Sequence, residues 1–106
     1  MSGVNCVGYG SFTVTDTGCT LPASVAIPAR AKGVVMTIET NAVRLRMDGT
    51  AADTGVGNGD LLNSGDVYTM DSWTHPGTNW RSVMLAATFA ADATGTTGRV
   101  SVHFYD

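Results

Sequence analysis

Apolar and polar residues alternate with a period of two from Gly33 to Met47, G-V-V-M-T-I-E-T-N-A-V-R-L-R-M. Val34, Met36 and Ile38 fall on one face of an extended chain, and Val35, Thr37 and Glu39 on the other. Beyond Thr40-Asn41, Val43, Leu45 and Met47 alternate with Arg44 and Arg46. Successive side chains of a strand point to opposite faces, so each arm has one apolar face to bury. A two-residue turn at Thr40-Asn41 pairs Ile38 with Val43, Met36 with Leu45 and Thr37 with Arg44, and it aligns the two apolar faces. The pattern predicts a β-hairpin over 33–47.

The same alternation marks further strands. In Gly10–Asp16, Phe12 and Val14 point inward and Thr13 and Thr15 outward. Cys19–Leu21 is a short strand before Pro22, and the stretch from Pro22 to Pro28 is an irregular or edge connection, because proline cannot donate to a ladder. Asp48-Gly49 opens a long Gly/Asp loop to Asp60, followed by a short strand or core anchor at Leu61-Leu62. Asp66–Trp73 forms a strand with Tyr68 and Met70 inward. Trp80–Phe89 fits a strand placing Val83, Leu85, Ala87 and Phe89 together; a helix would instead stripe Trp80, Met84 and Ala87, and the strand is preferred because the neighbours are β. Ala90–Thr97 is a loop. Gly98–Tyr105 ends the pattern, with Val100, Val102 and Phe104 opposite Arg99, Ser101 and His103. Met1–Tyr9 is weakly patterned and reads as an extended N-terminal arm ahead of a single domain over 10–106.

Composition agrees with an all-β chain. Of 106 residues, 15 are Thr, 12 Val and 13 Gly, with one Lys, one Glu and no Gln. Strong surface helix formers are therefore scarce and β-branched residues abundant. Eight of the nine acids are Asp, mostly beside Gly, Ser or Thr as turns prefer. Short strands separated by turn signals predict a single-domain antiparallel β-sandwich or a jelly-roll-like barrel.

The charge excludes one class of partner. A net charge of −3, with six scattered cations, cannot neutralise a phosphate backbone, so no nucleic-acid partner is expected. No apolar run is long enough to span a membrane, and the N-terminus lacks the basic start and apolar core of a secretion signal. The expectation is synthesis in the cytoplasm and no membrane partner. In that reducing compartment Cys6 and Cys19 are favoured as free thiols over a disulfide.

Candidate chemistry is sparse. No G-x-S-x-G, H-E-x-x-H or P-loop motif occurs, and His75 and His103 lie in no catalytic arrangement, so an enzyme is not expected. Asp48, Asp53, Asn58 and Asp60 could offer oxygens to calcium, but their spacing is not that of an EF-hand, and a structural loop without metal or cofactor is the better reading. Trp73, His75 and Trp80 cluster within eight residues. They can cover the end of the core, anchor a protein contact or stack on a sugar. Arg44 and Arg46, on the outward face, are candidates for meeting an acidic partner, with a solvated pair as the alternative. Val35 makes the outward face of the 33–47 segment less polar than a monomer needs, which points to association.

The segment A-R-A-K-G-V-V-M-T-I-E-T-N-A-V-R-L-R-M-D-G-T, followed by L-L-N-S-G-D-V-Y-T-M and D-S-W…N-W-R-S-V, resembles small β-rich proteins encoded among the structural genes of tailed bacteriophages. The likeness runs roughly from Arg30 to Val83 and carries no catalytic residue. It implies a virion component, in the first place a capsid decoration (cement) protein. Such a protein would bind the major capsid protein on the capsid surface as a small homo-oligomer, a trimer being favoured. On that reading the arm residues Val4, Val7 and Tyr9 would contact the shell, together with Arg44, Arg46 and the Trp73, His75 and Trp80 loop. Many weak contacts repeated around a shell give high avidity. The alternatives are a carbohydrate- or receptor-binding β-sandwich module and a head–tail connector or tail component.

Overall fold

In the computed structural model, which describes residues 5–48, 50–55, 57–71 and 80–106, the two arms flanking Thr40-Asn41 lie in different sheets. The elements in order are β1 (Cys6–Val14), β2 (Cys19–Thr20), β3 (Gly33–Thr40), β4 (Val43–Arg46), β5 (Asp60–Leu62), β6 (Val67–Asp71), α1 (Trp80–Ala86), β7 (Thr88–Ala91) and β8 (Gly98–Tyr105). One antiparallel sheet has the order β1-β8-β3-β6 and the other β2-β7-β4-β5. The pairs β1–β8, β2–β7, β3–β6 and β4–β5 alternate between the sheets. A long two-stranded ribbon with β4–β5 at its tip, wrapped around a core, gives this order. It is the strand order of an eight-stranded jelly roll, built as a two-sheet sandwich rather than a closed barrel.

The hairpin expected over 33–47 is thus corrected to an arch between sheets. β3 pairs with β8 (Val34↔Phe104, Met36↔Val102) and with β6, while β4 pairs with β7 (Leu45↔Phe89) and with β5. Asn41, at φ 56°, takes the left-handed conformation that lets the chain cross from one sheet to the other. Met36 and Ile38 then face Val43 and Leu45 across the core, all at most 1% exposed. Burial drives both arrangements equally, because each puts the same residues out of water.

Trp80–Ala86 is helical, against the preferred strand. Trp80 and Met84, four residues apart, are both buried, and Ala87 just past the helix is fully buried. Leu85, which the strand reading placed in the core, is 60% exposed. Arg81 fixes the helix start: its Nη2 donates to the carbonyls of Pro28, Ala29 and Ala31, each at 2.7 Å. Ala90 and Ala91, expected in a loop, are fully buried members of β7 between β2 and β4. Alanine is a poor strand former by propensity. At these positions the space is small: Ala91 pairs with Val43, and Ala90 with Arg44.

Other assignments hold. Phe12 and Val14 are buried in β1, Met70 in β6, and Val100, Val102 and Phe104 in β8. Phe12 and Phe89 meet edge to face across the core, ring centroids 5.2 Å apart. The segment read as an arm is paired with β8 from Cys6 onward. Both cysteines are free thiols. Among the described residues no helix is long and apolar enough to cross a membrane.

Candidate functional site

The two outer faces of the sandwich differ. On the β2-β7-β4-β5 sheet, the loop between β4 and β5 folds back over the strands. The Ala52 N–H donates to Thr88 Oγ1 at 2.9 Å, and Thr88 Oγ1 donates to the Thr50 carbonyl at 2.9 Å. Ala52 is 2% exposed. Arg44 ties the same cover down: Nε donates to Asp92 Oδ1 at 2.6 Å and Nη1 to the Gly59 carbonyl at 3.2 Å. Gly59 has φ 132°, and a Cβ there would lie 2.9 Å from the Leu45 carbonyl oxygen, so the loop's return needs glycine. The chain itself covers much of this face, and Leu61, opposite Arg44 on β5, stays 42% exposed at its edge.

The β1-β8-β3-β6 sheet has no such cover among the described residues. Its outer face carries Tyr9, Ser11 and Thr13 from β1, Arg99, Ser101, His103 and Tyr105 from β8, Val35 and Thr37 from β3, and Val67 and Thr69 from β6. Tyr9 and Val67 are each 60% exposed. Tyr9, His103 and Tyr105 form an aromatic row, with ring centroids 4.6 Å apart for the first pair and 6.3 Å for the second. Beside it, a shallow depression of about 280 Å³ is lined by Gly33, Val35, Thr69, Asp71 and Tyr105. At the other end Arg99 holds Glu39 (Nε to Oε2, 3.5 Å) and donates to Thr13 Oγ1 at 3.3 Å and Ser11 Oγ at 2.6 Å. The face is aromatic at one end and hydroxylated at the other, which suits adhesion to a protein or a sugar.

The residues singled out from sequence scatter. Tyr9 belongs to the open face. Val7 is half-buried against the core. Arg44 is 8% exposed and is spent on the covered face, which leaves little of it to meet a partner. Arg46 is bound by Asp48 through two bonds of 2.8 Å each. The Arg46 guanidinium and the Thr50 N–H hold the Asp48 carboxyl down at about 2. Arg44 likewise lowers Asp92. Trp80, at 7% exposure, covers the core and presents no contact surface. Val4, Trp73 and His75 lie outside the described residues. Sequence reasoning did not assemble Ser11, Thr13, Val67, Thr69 and Tyr105 into one surface. The i, i+2 spacing of Tyr9, Ser11 and Thr13, and of Ser101, His103 and Tyr105, was the available signal.

No group of three or more His, Cys, Asp or Glu able to hold a metal ion occurs among the described residues. Among the described residues the fold defines an antiparallel sandwich of two four-stranded sheets, one covered over most of its outer face by the β4–β5 loop and one without such a cover. No protein-family model, no curated protein and no solved structure matches the chain.

Proposed function

We propose that the chain is a non-catalytic structural component of a tailed-bacteriophage virion: a capsid decoration protein that docks on the major capsid protein as a small oligomer, a trimer being favoured. The observation that carries this reading is the asymmetry of the outer faces. One is covered over most of its area by the protein's own loop, with Leu61 left 42% exposed, while on the other no described segment lies over Tyr9 and Val67, each 60% exposed. The sequence likeness over residues 30–83 supplies the virion context. The jelly-roll order is compatible with it by analogy only, since that architecture serves both viral shells and lectins.

The aromatic row of Tyr9, His103 and Tyr105 favours a second reading, a carbohydrate-binding module that stacks sugar rings on the same face. Two measurements separate the readings. In purified particles, the decoration role predicts copies on the outer shell in numbers comparable to the major shell subunit, and particles lacking the protein that burst at lower temperature or under osmotic shock. Six or twelve copies at a vertex would indicate a connector instead, since copy number follows symmetry. Saturable sugar binding that Tyr9→Ala abolishes, with particles unaffected by the protein's loss, would replace the decoration reading.

A further inference from the structure

Four strands end the two sheets: β1, β6, β2 and β5. An edge strand presents unpaired N–H and C=O groups, and proteins guard such edges by shortness, charge, proline or a bulge. β2 has two residues, β5 has three, and the five-residue β6 ends in Asp71. β1 differs: C-V-G-Y-G-S-F-T-V spans nine residues with no charge and no proline. A bulge disturbs its start, but from Gly8↔Phe104 to Val14↔Gly98 the pairing with β8 is unbroken. No backbone hydrogen bond joins β1 to any described segment other than β8. Its free side borders a groove of about 430 Å³ whose lining includes Phe12, Cys19, Pro22 and Ser24. The Arg99 guanidinium, held by Ser11 and Thr13 on β1 and paired at 3.5 Å with the half-exposed Glu39, also lines the same groove.

We propose that the free edge of β1 is a strand-acceptor site that takes an extended segment of a partner polypeptide by β-augmentation. The backbone groups of this edge, which no described segment pairs, define the ligand as an extended peptide main chain. Alternate side chains of the added strand turn toward Phe12 and Pro22, and these positions take medium-sized apolar residues. The positions between them lie on the outer face beside Ser11 and Thr13, within reach of Arg99, and one of these takes a carboxylate. A second copy of this chain is the weaker occupant. Two such edges meeting alone would cover on the order of 250 Å² per partner, from a strand about 24 Å long and about 10 Å thick. A stable interface buries about 800 Å² per partner. A flexible segment can make the same main-chain bonds and also settle its side chains into the adjoining groove, which a second folded copy meeting edge to edge does not fill. The inference does not depend on the virion reading, because its test uses the isolated chain.

The probe is a synthetic peptide of about eight residues alternating valine with threonine and bearing one central glutamate, titrated into the isotope-labelled full chain. The expected result is saturable shifts centred on residues 9–13, with slowed exchange of the outward amides of β1. Replacing the peptide glutamate by glutamine, or Arg99→Gln in the protein, should weaken binding about fivefold. N-methylation of alternate peptide amides, which leaves the protein untouched, should abolish binding. Shifts centred on Val35 and Val67, or undiminished binding of the N-methylated peptide, would overturn the proposal. So would self-association of the free chain that Thr13→Lys dissolves, because the edge would then belong to a second copy.

Discussion

Single residues make the sandwich possible at its tightest points. Gly59 returns the long loop to β5 with φ 132°, a conformation that side chains rarely adopt, and the Leu45 carbonyl closes the space above it. Gly18 is confined in a different way, since a Cβ there would meet the Ala52 carbonyl oxygen at 2.6 Å. Gly59→Ala therefore combines backbone strain with a steric clash. The expected cost is about 1–3 kcal/mol, read as a lower midpoint in denaturant with unchanged slope. An unchanged midpoint would mean that the loop relaxes without needing glycine.

At the scale of elements, the loop between β4 and β5 acts as a third layer over one sheet. Met47 at its start packs against the core and Ala52 is buried, and polar ties to Arg44 and Thr88 hold the rest of its described residues. Arg44→Ala removes the bonds to Asp92 and Gly59 together and leaves both acceptors without that donor. The amides of residues 50–55 and 57–60 should then exchange with solvent well before those of β8, while the core strands keep their protection. Arg46→Ala is the control, because its bonds to Asp48 are exposed and should leave the loop's protection nearly as it was. Equal loosening by both variants would show that the cover depends on general charge rather than on Arg44.

The whole molecule draws its pH dependence from paired acids and half-buried neutral groups. Asp48, held at about 2, and Asp92 and Asp106, both lowered by arginine partners, ionise more easily when folded than when unfolded. Below the ordinary carboxylate value near 3.8 the unfolded chain binds more protons, so their contribution is present above that pH and fades as pH falls toward 2. Burial has the opposite consequence for Cys19 and Tyr68, which it raises above ordinary values of 9.0 and 10.0. Their neutral forms are favoured in the fold, and stability falls as pH rises past those values. Thermal scans should show a plateau near neutrality with an acid limb and an alkaline limb. Asp48→Asn should flatten the acid limb and Cys19→Ala the alkaline one. Asp48 is exposed and Asp92 and Asp106 are half-buried, so salt should shrink the Asp48 part of the acid limb most. A limb that neither variant alters would assign the titration to other groups.

The chain's own order of residues settled the β class, the inward set in β1, β6 and β8, and the uncharged run that became the open edge, because period-two alternation and turn residues are local signals. Whether Gly33–Arg46 doubles back within a sheet or arches between sheets was not local. Both forms bury Met36, Ile38, Val43 and Leu45, and the choice fell to β8, β7 and β5, which compete for the same hydrogen bonds from far along the chain. Tertiary packing also decided Trp80–Ala86, where burying Trp80 and Met84 on one side favours a helix among β neighbours, and it overrode propensity at Ala90-Ala91, where close packing favours small residues in a strand. The same holds for the candidate surface. Arg44 looked outward by alternation, but a loop folded over it, while Tyr9, Arg99, His103 and Val67 came together only when four strands from across the chain were laid side by side.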